Sequence, residues 1–206
     1  MDGFAEVPIG PGFVVKLTDP IAQAPHAGTA SANPSPNEPI RVGDAGVALL
    51  WPFLTRFFDQ IGLLKEDNFL GADAKARGVM LIHYLVMEST VAEAPQLTLP
   101  KILCGVPLET VVPLQINLTE QERSISEELL SAMCKHWPPL NSSSTASLRK
   151  TFLQRRGSLI ETEPNIHTLN VSSAPYDMLL DQLPWQIGTI RLGFMPAPMT
   201  VHWGGH

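Results

Sequence analysis

Two thiols, six imidazoles and one run of cations are the side chains that could carry chemistry here. Cys104 stands in the triplet Leu103-Cys104-Gly105. A thiolate nucleophile needs an electropositive or base-bearing surround. A glycine directly after the thiol marks a helix C-terminus, whose negative end raises a thiol pKa. Cys104 therefore reads as a small buried apolar residue, and a thiol-dependent enzyme is a minor alternative. His26, His83, His136, His167, His202 and His206 form no HExxH, and neither cysteine lies in a CxxC. Cys134 and His136 are the nearest pair of soft ligands, but residues two apart on a helix point away from each other. Structural zinc needs four convergent ligands, so no metal is expected. No GxSxG, P-loop or GxGxxG is present, which leaves no catalytic or cofactor-binding residue to name. Glu127 and Glu128 read as a solvated helix face.

Positive charge concentrates at Arg149, Lys150, Arg155 and Arg156, with Phe152 as the one aromatic between them. Single-stranded nucleic acid is held by basic grooves with several interleaved aromatics, which this stretch lacks. The cluster is either a solvated helix face or a docking surface for an acidic protein partner. Of four tryptophans, Trp51 and Trp137 fall on apolar helical stripes and read as core, and core is also the simpler reading of Trp185 and Trp203. Tryptophan also serves interface hot spots. The candidate partner interface is thus Arg149, Lys150, Arg155, Arg156, Trp185, Met195 and Trp203.

The elements that must position these residues follow from periodicity. Val47, Leu50, Trp51, Leu54, Phe57, Phe58 and Ile61 repeat at helical spacing, with Pro52 in a first turn or at a kink and Gly62 as a stop. Further apolar residues off the stripe predict burial on more than one side. A second helix covers Asp73 to Glu88, and a short one Leu99 to Leu103, ending at Gly105. Thr119-Glu120-Gln121-Glu122 has capping-box form and starts a third long helix that Pro138-Pro139 stops. Ser142 to Ser144 offer caps for a helix over Leu148 to Arg156, ended by Gly157. His167 to Val171 reads as a strand, Tyr176 to Gln182 as a short helix. Leu183 to Trp203 closes with two alternating strands around Pro196-Ala197-Pro198. Burial is expected for Ile190, Leu192, Phe194, Val201 and Trp203.

The fold class is α+β: a predominantly helical domain with a small antiparallel sheet that includes a C-terminal hairpin. Residues 1–39 carry seven prolines among Ala, Gly, Ser and Asn and read as a flexible arm or linker, with one short strand at Phe13 to Leu17. Residues 40–206 form the domain. Of the 206 residues, 17% are charged and 44% hydrophobic, and the formal net charge is −6. That balance argues against a phosphate-backbone partner and against an anionic membrane surface. No signal-peptide pattern opens the chain, and the apolar run Val47 to Phe58 is too short to span a bilayer.

Five segments in order carry a family resemblance: IRVGDAGVALLWPFLTRFFDQIGLL, RGVMLIHYL, LPKILCGVPL, LRKTFLQRRGSL and LPWQIGTIRLGFMPAPMTVHW. Together, from Ile40 to Trp203, they resemble the C-terminal region of contractile injection system tape measure proteins. The resemblance implies a non-enzymatic assembly component of a phage-tail-like particle that bacteria build to deliver toxins. Such proteins lie in the inner tube during assembly, set its length and are held at one end by spike and baseplate. The implied partners are inner tube, spike or baseplate proteins, or further copies of the chain, and not nucleic acid or membrane. The implied location is the bacterial cytoplasm during assembly, within a particle that is in some systems released. An adaptor or assembly chaperone of the same particle is the alternative. The long measuring portion usual in the family is nearly absent. Thirty-nine residues fully extended reach on the order of 130 Å, and as one helix about 60 Å. This points to a terminal domain of a longer protein, or to a short relative that anchors rather than measures.

Overall fold

The computed structural model describes residues 38–204. The segment 1–39, apart from Glu38 and Pro39, lies outside the described residues, as does the strand expected at Phe13 to Leu17. Strand β1 (Ile40–Val42) leads into a 3-10 turn, Ala45–Leu50, in which every residue is buried. Helix α1 (Trp51–Gln60) follows with Pro52 in its first turn, where its missing N–H costs nothing. Gly62, at φ +79°, ends it as expected. A tight hairpin, β2 (Leu64–Lys65) and β3 (Asn68–Phe69), turns through Glu66 and Asp67, both at positive φ. That is the two-residue turn whose twist suits paired strands.

Helix α2 (Ala72–Met87) is buried without interruption from Gly78 to Val86, so it is a core helix rather than an amphipathic one. A 3-10 turn, Ala94–Leu97, joins it to α3 (Thr98–Leu103), which ends at Gly105 with φ +61°. Helix α4 (Glu120–His136) opens on the predicted capping box. Thr119 Oγ1 accepts from the Glu122 N–H, and the Glu122 carboxylate accepts from the Thr119 N–H at 2.7 Å. Trp137, directly after it, is fully buried and packs edge-on against Phe152 at 4.6 Å.

The expected fourth helix is displaced. Helix α5 (Thr145–Leu148) starts at the Ser144 cap and widens at once into a π-helical turn, Arg149–Leu153. Gly157 does not stop a helix. It opens a strand, β4 (Gly157–Glu163), which the sequence reading missed. Its lack of a side chain serves close packing instead: a Cβ there would stand 2.6 Å from the Asn170 carbonyl oxygen and 2.7 Å from Ala45 Cβ. Strand β5 (Ile166–Val171) pairs antiparallel with β4, and a 3-10 turn, Asp177–Gln182, occupies the place of the expected short helix.

The terminal hairpin is present with a different balance. Its first strand, β6 (Thr189–Ile190), has two residues, and its second, β7 (Met199–Trp203), has five. The two pair antiparallel, but β7 makes its longer alignment parallel to β5, from Thr168 opposite Thr200 to Val171 opposite Trp203. The five-stranded sheet therefore runs β1-β4-β5-β7-β6 and is mixed, correcting the expected antiparallel one. The α+β class stands, with more helix than strand.

Ile190, Leu192, Phe194, Val201 and Trp203 are each 8% exposed or less, and Met199 joins them at 1%. Their burial is internal. Phe194 packs against Phe58 (5.8 Å) and Phe69 (4.8 Å), joining the terminal hairpin to α1 and to the β2–β3 hairpin. Burying an aromatic or aliphatic side chain of this kind contributes about 1.5–3 kcal/mol. Among the described residues no helix is long and apolar enough to cross a membrane.

Candidate partner interface

The thiols come first. Cys104 follows the last turn of α3 and is completely buried. Burial pushes its thiol well above the usual range, against the smaller opposing pull of the Lys75 ammonium. Cys134, on α4, is 3% exposed and likewise raised by burial. A thiol in such a setting forms little thiolate at neutral pH, the species a nucleophile requires. His83 is buried on α2, held below the usual imidazole range by burial, with Nε2 3.2 Å from the Val91 carbonyl oxygen. His136 and His202 are exposed, while His26 and His206 lie outside the described residues. Among the described residues no three His, Cys, Asp or Glu side chains are grouped to hold a metal.

The basic cluster separates into two kinds of residue. On the π-helical turn, Arg149 points inward and is 3% exposed. Its Nε donates to the Leu85 carbonyl in the last turn of α2 (3.0 Å), and its guanidinium pairs with Glu127 of α4 and lies 3.6 Å from Glu88. It thus caps the negative end of one helix and ties it to another. Gln154 does the same at the Val86 carbonyl (2.9 Å). Arg155 is 6% exposed and forms a two-point pair with Asp177, Nη1 to Oδ1 at 2.8 Å and Nη2 to Oδ2 at 3.0 Å. Its Nη2 also donates to the Ser172 carbonyl, and its guanidinium lies 6.0 Å from the Trp203 ring centroid. Lys150 and Arg156 are exposed. A single basic docking face made of all four is therefore corrected: two of the four cations are consumed inside the chain, because burial demands partners for them.

The aromatic members divide likewise. Trp203 is 4% exposed. Trp185 is half-buried and meets the Phe53 ring edge-on at 5.2 Å, and Met195 is also half-buried. Lys150, Arg156, Trp185 and Met195 are thus the candidate residues that reach the surface.

A further surface carried no expectation. Between α3 and α4 the chain runs from Gly105 to Leu118 without regular structure. It is nonetheless tied down: Ala92 N donates to Leu114 O at 2.8 Å, and Ile116 N to Thr90 O at 3.0 Å. Lys75 Nζ reaches the Gly105 carbonyl (3.0 Å) and Arg77 Nη2 the Asn117 carbonyl (3.0 Å). Arg77 is fixed in turn by the Glu122 carboxylate of the capping box. Between this segment and the first half of α2 lies a groove of about 750 Å³, lined by Ala76, Val106, Val112 and Ile116 among others. Beside it Val111, Leu114 and Val91 are 94%, 45% and 55% exposed. Long ordered connections of this length are uncommon unless they carry function. The signal in the sequence was the strand-like run Val111-Val112-Pro113-Leu114, which has no strand to belong to.

Compared with known proteins, a family model described as contractile injection system tape measure protein matches residues 16–203. The match contains all five ordered segments and begins inside the proline-rich stretch. No curated protein and no solved structure matches.

Proposed function

The chain belongs to the contractile injection system tape measure family, and from that premise we propose that its folded region is a non-enzymatic anchor. It would hold the tape measure to an inner tube, spike or baseplate protein while the particle assembles in the bacterial cytoplasm. The observation that carries this reading is the folded region's own build. Its longest helix, α4, has 17 residues, about 26 Å at the helical rise. Every long element is bent back onto one core, through Phe58, Phe194, Trp137 and Phe152. A ruler for a tube of many stacked rings needs an extended element far longer than that. A compact body with an ordered, apolar-tipped connection suits attachment.

The test is deletion of residues 38–204 from the chromosomal gene, followed by electron microscopy of purified particles. An anchor predicts few or no completed tubes. Tubes of normal number and normal length would refute it. Mass spectrometry of particles stalled before contraction adds a second arm: absence of the chain from them would favour an assembly chaperone.

A further inference from the structure

At one end of the sheet lies a second concavity, of about 400 Å³, between the Pro107–Glu109 segment, the β4–β5 turn and Pro196-Ala197. Its polar groups are Glu109, Glu161, Asn165 and His167. His167 is 7% exposed, yet its Nε2 has no hydrogen-bond partner. The nearest charged oxygen, Glu161 Oε1, stands 3.9 Å away, beyond hydrogen-bond reach. That oxygen is already engaged by the Asn165 N–H at 2.8 Å. Burial holds the imidazole below its usual range, against the raising pulls of Glu161 and the Asn165 backbone, so the ring is neutral at pH 7. In the neutral tautomer that keeps its proton on the side of the Asn165 backbone, the ring presents a lone pair at Nε2 facing a carboxylate. Two acceptors thus confront each other with no donor between them.

We propose that this notch receives a lysine or arginine side chain from a partner protein. One donor nitrogen about 2.8 Å from each acceptor would bridge the Nε2 lone pair and Glu161. Glu161 is 44% exposed along its side chain, so it can swing to admit the newcomer. Glu109, exposed at the rim, adds a second negative charge. The nearby Lys101, whose ammonium feels Glu109, is tied to the Leu108 carbonyl at 2.8 Å and does not enter. The stem of the incoming side chain would lie on Pro107, Pro196 and Ala197. Among the described residues His167 and the two glutamates do not converge into a group that could hold a metal ion, which favours an organic cation over an inorganic one. The inference rests on the assembly reading only in taking the source of that side chain to be a protein.

The test uses the full chain labelled with ¹⁵N-histidine, His167 being assigned through His167→Gln. Long-range ¹H–¹⁵N spectra are followed while acetyl-arginine amide, then acetyl-citrulline amide, is added. The expected result is a saturable shift of His167 Nε2 in the millimolar range with arginine and none with citrulline. Glu161→Gln, whose amide oxygen still accepts from Asn165, should weaken the response at least tenfold. A motionless His167, or an equal response to citrulline, overturns the proposal. So does a stoichiometric shift with Zn²⁺ where arginine gives none, since that marks an inorganic cation site. No particle enters this experiment, so failure of the anchoring role would leave its result standing.

Discussion

Removing either member of the Arg155–Asp177 pair should cost more than any single apolar contact in this chain, and the two losses should not be symmetrical. Both side chains are 8% exposed or less, and both are fully committed. Asp177 accepts from two guanidinium nitrogens and from the Ala174 N–H at 2.8 Å. Arg155 reaches the Ser172 carbonyl in addition. Breaking a buried pair on one side typically costs about 3–5 kcal/mol, because an uncompensated charge remains. In Arg155→Met the stranded carboxylate can take up a proton, so the loss should lie near the lower end, ~3 kcal/mol. In Asp177→Leu the stranded guanidinium cannot shed its charge. The Ala174 N–H loses its acceptor as well, worth ~1 kcal/mol, for a total of ~5 kcal/mol. The double variant removes both charges and should regain most of this, because replacing a whole buried pair is often nearly neutral. A double-mutant cycle in urea at pH 7, read by tryptophan fluorescence, measures the coupling. With a slope of ~2 kcal/mol per molar urea, Asp177→Leu should lower the midpoint by ~2 M or more. Additive losses, or a single-variant cost below ~1 kcal/mol, would refute the reasoning, since that is the worth of an exposed pair.

Four further outcomes are expected. Gly46→Ala should destabilise by about 3 kcal/mol or more, because its Cβ would fall 1.7 Å from the Phe152 carbonyl oxygen. Gly62→Ala, at φ +79° with nothing within 4 Å, should cost only ~1 kcal/mol in thermal melts. Asp44 is 3% exposed, and burial pushes its carboxyl up to about 7, against the lowering pull of its own backbone N–H. A carboxyl raised in the folded state weakens that state as pH climbs from the unfolded value of 3.8 to about 7. Asp44→Asn should therefore gain about 4 kcal/mol over wild type at pH 8 relative to pH 4, in denaturation at both pH values; an equal gap at both would contradict it. Finally, a thiol reagent that absorbs on release should label Cys104 and Cys134 at the rate of unfolding, with urea accelerating both, and immediate labelling in buffer would overturn their burial.

Much of the helical half was legible in the sequence because its determinants are local. Pro52, Gly62 and the Thr119–Glu122 box each act within a few residues of themselves. The sheet was legible only where alternation was clean, at β5 and β7. β4 escaped because Gly157, a plausible helix stop, in truth serves the close approach of Asn170 and Ala45. No local pattern announces that β7 lies parallel to β5. The cation cluster misled for the same reason. Glu127 lies 22 residues from Arg149, Asp177 lies 22 from Arg155, and the Leu85 carbonyl lies 64 from Arg149. Adjacent charges read as a surface until their distant partners are known. The His167 notch was invisible because its three walls come from separate stretches of chain.

The strand order has a consequence for how the chain is made. β7 is the last strand in sequence but an interior one in the sheet, flanked by β5 and β6. A ribosome delivers β5 complete at Val171, well before Met199 appears. Until β7 arrives, β5 presents a bare ladder of N–H and C=O groups, the kind of edge that recruits strands from other chains. Newly made copies on one message are each other's nearest source of such strands. A message truncated before Met199 should therefore yield insoluble material rather than a shortened soluble domain, and the closing strand acts as the chain's safeguard against its own siblings.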